Sequence, residues 1–198
     1  MMCGDKIKRS AIAGAGLLLS GLLAACGGGT APQGDGSPGQ PETRAPSGPK
    51  INDPKDAAAV PRCSLLPPEA ATSLGLSPQG EERANQIDPK APSECAYTTP
   101  DGRDSVALTP LSDRSIQEYY DNKSKYPDFQ QLDIAGHPAV RANQGDPKSD
   151  GFCDFFLATK DGQVLASQSY SGSPQQNDPC ALSQKALESS VPALPAAK

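Results

Sequence analysis

The chain of 198 residues contains no tryptophan and a single histidine, His137, and only 5% of its residues are aromatic. Leucine, isoleucine, valine and phenylalanine together number 32, about 16% of the chain, which lies below the roughly 20% under which charged chains tend to be disordered. This scarcity excludes a large, self-sufficient hydrophobic core, so the fold needs other sources of stability. The single histidine excludes a metal site with several histidine ligands.

Proline and glycine, by contrast, are abundant, with 21 and 19 residues. Seven of each lie between residues 27 and 62, where Ile51 and Val60 are the only large aliphatic residues and aromatic residues are absent. Such a segment cannot bury enough apolar surface to offset its ordering entropy. We therefore predict a disordered tether over residues 26–56, with a reach on the order of 30 to 35 Å, and one folded domain over residues 57–195.

The first 25 residues have the pattern of a secretory signal peptide. Lys6, Lys8 and Arg9 precede an uncharged stretch, residues 10–25, that is rich in alanine, glycine and leucine. A transmembrane helix is the alternative interpretation, but the apolar run is about 15 residues long, whereas crossing a bilayer takes roughly 20. Residues 1–25 are therefore predicted to be a signal peptide.

The end of this signal is more specific. In Leu23-Ala24-Ala25-Cys26 a leucine stands three residues before the cysteine, where an ordinary cleavage site has a small residue. The sequence resembles the lipobox of bacterial lipoproteins, which implies lipid attachment to the Cys26 thiol, cleavage just before it, and anchoring by acyl chains such as palmitate. Two or more such chains hold a protein stably on a bilayer. The alternative is a cysteine that follows the apolar stretch by chance.

The rest of the chain is acidic. The formal net charge is −5, and removal of residues 1–25 leaves 15 basic and 22 acidic residues, a charge of −7. Nucleic acids and anionic lipid surfaces attract basic patches, so we expect no nucleic-acid partner. Membrane attachment is expected through the lipid on Cys26, at the extracytoplasmic face of the cell membrane.

The predicted domain alternates short helices with β-hairpins. Helices are expected from Pro67 to Gly75, after the capping box of Ser115 and Glu118, and after Asp178-Pro179. Strands without βαβ alternation favour an α+β fold, an antiparallel sheet of about five to six strands with the helices packed on one face. The predicted hairpins pair residues 94–99 with 104–109, residues 130–134 with 139–143, and the two halves of 152–170 about Lys160-Asp161-Gly162.

Four cysteines remain in the predicted domain: Cys63, Cys95, Cys153 and Cys180. An even number in an exported domain indicates two disulfides, for which four cysteines allow three connectivities. Loop entropy does not distinguish these connectivities, because each loop stabilises by a similar amount. We favour the sequential pairing, because each bridge would then join the start of a helix to a strand. Zinc is the competing interpretation, but the chain has no Cys-x-x-Cys pair.

Six short motifs follow one another along the domain: Cys63-Ser64-Leu65-Leu66, Cys95-Ala96-Tyr97, Ile134-Ala135-Gly136-His137-Pro138-Ala139-Val140, Cys153, Asp178-Pro179-Cys180 and Leu194-Pro195. In this order, and together with the lipobox, they resemble the actinobacterial lipoproteins grouped as domain of unknown function 3558. The resemblance covers roughly residues 63–195. It implies a lipid-anchored envelope protein with two disulfides, and it implies no activity.

The densest aromatic run offers a candidate binding surface. Tyr119, Tyr120, Tyr126 and Phe129 lie on the predicted middle helix and the turn after it. They could line a ligand groove or a protein contact, since tyrosine favours surfaces that are half wet and half apolar. Packing on the sheet is the alternative, and we favour it because the domain has so few aliphatic residues.

Other patterns give no catalytic or metal site. His137 lies between Gly136 and Pro138 in a predicted turn, and the chain has no Gly-x-Ser-x-Gly motif that would provide a nucleophile. Asp146, Asp150 and Asp154 resemble a calcium loop, but Lys148 occupies the third position, where an oxygen ligand is needed. We therefore expect no cofactor and no metal.

The sequence accordingly predicts a non-enzymatic, lipid-anchored envelope lipoprotein whose domain binds an envelope protein or a small ligand. One alternative is a hydrolase or transferase acting on envelope polymers, which needs a concave acidic or serine-based site, for example convergent carboxylates such as a Glu118–Asp121 pair. Another is a sensory or accessory module of a membrane partner. A protein partner would need a flat apolar area, and a small ligand an enclosed pocket.

Overall fold

The computed structural model describes residues 48–84, 90 and 92–198. The predicted signal peptide, Cys26 and the tether as far as residue 47 lie outside these residues, and their assignments stay predictions. The described residues include four α-helices, each short except the last: α1 (Pro68–Ser73), α2 (Ile116–Asp121), α3 (Pro147–Asp150) and α4 (Pro179–Ser190).

Seven strands of the described residues form one sheet in which every neighbouring pair is antiparallel. In chain order they are β1 (Glu81–Arg83), β2 (Glu94–Thr98), β3 (Asp104–Ser112), β4 (Asp128–Ile134), β5 (His137–Asn143), β6 (Phe152–Lys160) and β7 (Gln163–Ser171). Their order across the sheet is β1-β2-β3-β7-β6-β5-β4.

The antiparallel sheet is as predicted, but it has seven strands and not five to six. The additional strand is β1, whose three residues are all charged and exposed. A half-buried strand is recognised by alternating apolar and polar residues, and β1 lacks that alternation. It is held by backbone pairing with β2.

The sheet carries helices on both faces. Phe155 and Phe156 are neighbours on β6, so their side chains point to opposite faces. Phe155 packs in a cluster with buried residues of α1 and α4, whereas Phe156 packs against a cluster that contains Ile116 and Tyr119 of α2. The prediction that the helices share one face is therefore wrong. The connection from β3 to β4 runs from the middle of the sheet to its edge, and α2 crosses the face opposite to α4. We call these the α4 face and the α2 face.

Two disulfides hold the α4 face together. Cys63, in a 3₁₀ turn before α1, is bonded to Cys95 of β2, and Cys153 of β6 is bonded to Cys180 in the first turn of α4. This is the sequential pairing that the sequence favoured. Each bridge joins a helical segment to a strand, as expected.

Beside the second disulfide, polar contacts dock α4 on the sheet. The fully buried Ser183 of α4 donates to the backbone oxygen of Cys153 at 3.0 Å or of Ser167 at 3.1 Å. Ser169 of β7 lies 2.6 Å from the backbone oxygen of Pro179. Serines therefore occupy positions between α4 and the sheet at which aliphatic side chains would bury more apolar surface.

The two ends of the described domain meet. Lys55 pairs with Ala196, and the Asp56 amide donates to the Pro195 oxygen at 2.9 Å. The Asp56 carboxylate binds the Lys160 ammonium at 2.6 Å, near the turn between β6 and β7. Ordered contacts thus begin at least two residues before the expected boundary at residue 57.

Candidate functional site

The four aromatic residues predicted as a binding surface lie on the α2 face. Tyr119 is buried and stacks on Phe156 with ring centroids 4.1 Å apart. Tyr120, Tyr126 and Phe129 are half-buried around them. Burial raises the pKa of Tyr119, and the nearby Arg114 guanidinium opposes this. The cluster joins α2 to the sheet, which is the packing role that the sequence favoured for these residues.

A different aromatic pair is exposed. Phe152, at the start of β6, is 58% exposed and Tyr170, near the end of β7, is 40% exposed. The two residues are directly paired across the strands, and their ring centroids lie 4.8 Å apart. They lie on the α2 face, beyond the part that α2 covers. The other seven aromatic side chains of the chain are buried or half-buried, so this pair is the exposed aromatic surface of the domain.

A groove of about 270 Å³ lies beside the pair. Strand register explains its shape: Ser105 pairs with Tyr170, and Ala107 with Gln168, which pairs in turn with Asp154. Because the β3 residues are small and their β6 and β7 neighbours large, the α2 face is hollow at this point. We call it the Phe152 groove; its lining comprises Glu94, Ser105, Ala107, Phe152, Asp154, Gln168, Ser169 and Tyr170.

Asp154 gives the Phe152 groove its charge. Its carboxylate accepts one hydrogen bond, at 3.3 Å from the side-chain amide of Gln168. Burial raises the pKa of Asp154, and the Gln168 hydrogen bond opposes this only in part. Asp128 and Asp56, by comparison, are each within 2.6 Å of a cation, Arg141 and Lys160 respectively. Among the described residues, no lysine or arginine forms such a pair with Asp154.

Glu94 is the second acidic residue of the groove. Burial raises the pKa of its carboxyl, and the charge of Arg83 on the neighbouring strand opposes this. Glu94 is on β2 and Asp154 on β6, with β3 and β7 between them. Three strand spacings of about 4.8 Å separate their backbones by on the order of 14 Å. The two carboxyls therefore titrate as separate groups.

A second groove, of about 320 Å³, lies at the start of α4. Its lining includes Asp104, whose carboxylate accepts from the Asn177 side chain at 2.8 Å, and Lys185. It contains both charge signs and no aromatic side chain. The Phe152 groove is the better candidate site, since rings and an uncompensated charge line it together.

The structure places the other candidate residues in structural roles. His137 is buried as the first residue of β5, and its Nδ1 donates to the Ala158 oxygen at 2.9 Å. It therefore follows the turn in which the sequence placed it, and it is not a surface residue. Glu118 and Asp121 are both exposed; Glu118 accepts from the Ser115 amide, and Asp121 from the Gln117 side chain.

The three aspartates that resemble a calcium loop do not converge. Asp146 caps α3, where it accepts from the Lys148 amide and the Ser149 hydroxyl, while Asp154 lies within β6. In the described part of the chain, no three acidic, histidine or cysteine side chains are grouped as metal ligands. The same part contains no helix that is long and apolar enough to cross a membrane.

Comparison with known proteins identifies a family. A family model described as a protein of unknown function, DUF3558, matches residues 21–193. The chain belongs to the DUF3558 family. No curated protein and no solved structure gives a significant match.

The residues that carry the DUF3558 resemblance lie in the core and in the two disulfides. Leu65 and Leu66 are fully buried, His137 is buried at the start of β5, and the four cysteines form the two disulfides. Phe152, Asp154 and Tyr170 are outside these motifs. Sequence reasoning missed the three, although one signal was available: once Cys153 faces α4 through its disulfide, Phe152 and Asp154 must face the other way.

Replacement of Asp154 by asparagine is expected to stabilise this DUF3558 domain at neutral pH. Because the pKa of Asp154 is raised in the folded state, the unfolded chain releases this proton at lower pH than the folded chain. Stability is therefore lost as the pH rises from about 4 through the folded pKa. Asparagine removes this loss, so Asp154→Asn should raise the free energy of unfolding at pH 7. Urea unfolding at pH 7 and pH 3 measures the effect, which should vanish at pH 3.

Asp128→Asn is the matched control. Asp128 is paired with Arg141 at 2.6 Å and accepts from Asn143 at 2.7 Å. Its neutralisation leaves the half-buried guanidinium without its partner, so this variant should be less stable than the parent protein at pH 7. Equal destabilisation by both substitutions would contradict the assignment of Asp154 as an uncompensated charge.

Proposed function

We propose that this DUF3558 protein is a lipoprotein, anchored by lipid on Cys26 at the extracytoplasmic face of the cell membrane, and that its domain is a non-enzymatic binding module. The observation that carries the anchoring is the sequence Leu23-Ala24-Ala25-Cys26 after a basic and then an apolar stretch. The resemblance to actinobacterial lipoproteins supports the same location. In this proposal the protein binds the membrane through the lipid on Cys26.

The disulfides support an extracytoplasmic location. Cys63–Cys95 and Cys153–Cys180 account for every cysteine beyond residue 26. Disulfides form and persist in oxidising compartments and are rare in the cytosol. A chain with so few large apolar residues benefits most from such bridges, because its core alone stabilises it little.

The arrangement of the groove supports binding over hydrolysis. A glycoside hydrolase places two carboxyl groups about 5 to 9.5 Å apart on either side of the bond that it cleaves. Glu94 and Asp154 are three strands apart in the sheet, and Glu118 and Asp121 are each occupied by contacts within α2 and its cap. An exposed aromatic pair beside a groove is, in contrast, typical of recognition surfaces.

Replacement of Cys26 tests the anchor. Cys26→Ser removes the thiol that would receive the lipid, so the variant should no longer incorporate a palmitate analogue. It should also leave the membrane fraction or remain as an unprocessed precursor. Fractionation, metabolic labelling and the mass of the protein measure these outcomes.

Cys3→Ser provides the matched control, because Cys3 lies in the n-region that is removed with the signal. It should be processed, labelled and retained on membranes as the parent protein is. Normal labelling and membrane retention of Cys26→Ser would overturn the proposed anchor.

A further inference from the structure

We infer that the Phe152 groove binds a small organic cation, with Asp154 as the counter-ion of its ammonium group and Phe152 and Tyr170 packed against its apolar part. The inference rests on the proposed binding role of the domain and not on the lipid anchor. The charge of the groove, its exposed rings and its size indicate this class of ligand.

Charge is the first argument. A carboxylate that is withdrawn from water loses hydration and needs a cation or several hydrogen bonds to replace it. Asp154 receives one hydrogen bond, from Gln168, at the long distance of 3.3 Å, and no cation pairs with it among the described residues. A ligand ammonium would supply the missing charge. A neutral ligand such as a sugar would donate hydroxyl hydrogen bonds to the carboxylate, but it would bring no charge to balance it.

The rings are the second argument. Phe152 and Tyr170 are exposed beside the carboxylate, with ring centroids 4.8 Å apart. Aromatic faces attract cations, and they bury apolar groups at the same time. An alkylammonium or arylalkylammonium ion presents both kinds of group next to each other. The rings and Asp154 thus match the two ends of one such ligand.

Size is the third argument. The volume of about 270 Å³ lies just below the 300 to 1,000 Å³ that is typical of pockets for drug-sized ligands. It suits one ring with a short chain. A stable protein contact buries about 800 Å² on each partner, much more surface than this groove offers. A metal ion would need further oxygen ligands close to Asp154, and among the described residues the one other carboxylate that lines the groove, Glu94, is three strands away.

The test compares two probes of nearly equal shape. 2-Phenylethylamine is a cation at pH 7, and 2-phenylethanol is its neutral analogue. The full chain is purified in detergent, and the affinity of each probe is measured by titration calorimetry and by saturation-transfer NMR. We expect the amine to bind at least 10-fold more tightly than the alcohol, since hydrogen bonds to charged groups stabilise more than neutral ones.

Variants locate the binding. Asp154→Asn should weaken binding of the amine by about 10- to 100-fold and leave the alcohol nearly unchanged. Tyr170→Leu should weaken the amine several-fold, because it removes one ring and keeps the charge. Asp161→Asn is the control: Asp161 is an exposed acid in the β6–β7 turn, at the other end of the hairpin. Partition of the probes into detergent is the same for every variant and cancels in the comparison.

Three results would overturn the inference: equal affinity for the amine and the alcohol, full retention of amine binding in Asp154→Asn, or no amine binding at 10 mM. Chitin oligosaccharides form a further arm of the experiment, and tighter binding of these neutral sugars than of the amine would assign the groove to a different class of ligand. A negative result in these binding assays would not affect the proposed lipid anchor. A negative result of the Cys26→Ser experiment would likewise not affect the proposed ligand. Thermal unfolding of Asp154→Asn verifies that a loss of binding is not a loss of fold.

Discussion

Replacement of both Cys153 and Cys180 by alanine is expected to lower the free energy of unfolding by about 3.5 kcal/mol, the chain-entropy value for a loop of this length. The bridge closes a sequence separation of 27 residues and joins α4 to β6. Serine hydroxyls make the hydrogen bonds around it, and without the bridge α4 would be held by these bonds and by the packing of Ala186 and Leu187 in the main cluster. For a small domain with a typical stability of 5 to 15 kcal/mol, this is a large fraction of the total.

Urea unfolding, followed by far-ultraviolet circular dichroism, measures this loss. Hydrogen exchange should show that protection falls first in α4 and the adjoining part of β7. The Cys63→Ala/Cys95→Ala double variant is the comparison, because its loop of 32 residues predicts nearly the same loss. A loss below about 1 kcal/mol for Cys153→Ala/Cys180→Ala would contradict the view that the disulfide compensates for a thin core.

Phe155→Ala is expected to lower the free energy of unfolding by about 3 to 5 kcal/mol. Phe155 is 2% exposed and belongs to the cluster that joins the sheet to α1 and α4. Alanine removes the ring from a site enclosed on all sides, so a cavity adds to the lost burial. The neighbouring residue, Phe156, is also a phenylalanine but lies on the opposite face of the sheet, so it provides the comparison.

Phe156→Ala should be less severe, by about 1 to 3 kcal/mol. Phe156 is half-buried and stacks on Tyr119 at 4.1 Å, so water can reach the space that its ring leaves. Denaturant unfolding of both variants under the same conditions gives the comparison. A larger loss for Phe156→Ala would contradict the assignment of the main core to the α4 face.

The sequence predicted most strands because local signals define them. Asp101-Gly102 and Asp161-Gly162 mark two of the hairpin turns, and Gly102 and Gly162 have the positive φ angles, 71° and 68°, that these turns require. Asp178 begins α4 as predicted, with its carboxylate accepting from the Cys180 amide at 2.9 Å. Such features depend on a few adjacent residues, which is why sequence alone reveals them.

Features that depend on distant parts of the chain were not predictable in the same way. Ile116 and Tyr119 indicate that α2 is amphipathic, but no local signal indicates which face of the sheet it covers. That choice depends on β3 pairing with β7 and β4 lying at the far edge. The burial of His137 has the same origin, since its partner, the Ala158 oxygen, is 21 residues away.

The candidate site was missed for a related reason. Asp154 was grouped with Asp146 and Asp150 by spacing along the chain, whereas the structure places it inside β6, between Gln168 and the exposed rings. Its proposed role depends on the fact that no described lysine or arginine pairs with it. This fact can be recognised only from the positions of the neighbouring strands.

The two ends of the described domain meet at one end of the sheet. Lys55 and Asp56 lie beside Lys160, the last residue of β6, while Phe152 is the first residue of that strand. Eight residue steps of about 3.3 Å separate the two positions by about 26 Å. The groove and the paired ends of the domain therefore lie at opposite ends of β6. A ligand in the groove would not contact the segment that continues toward the start of the chain.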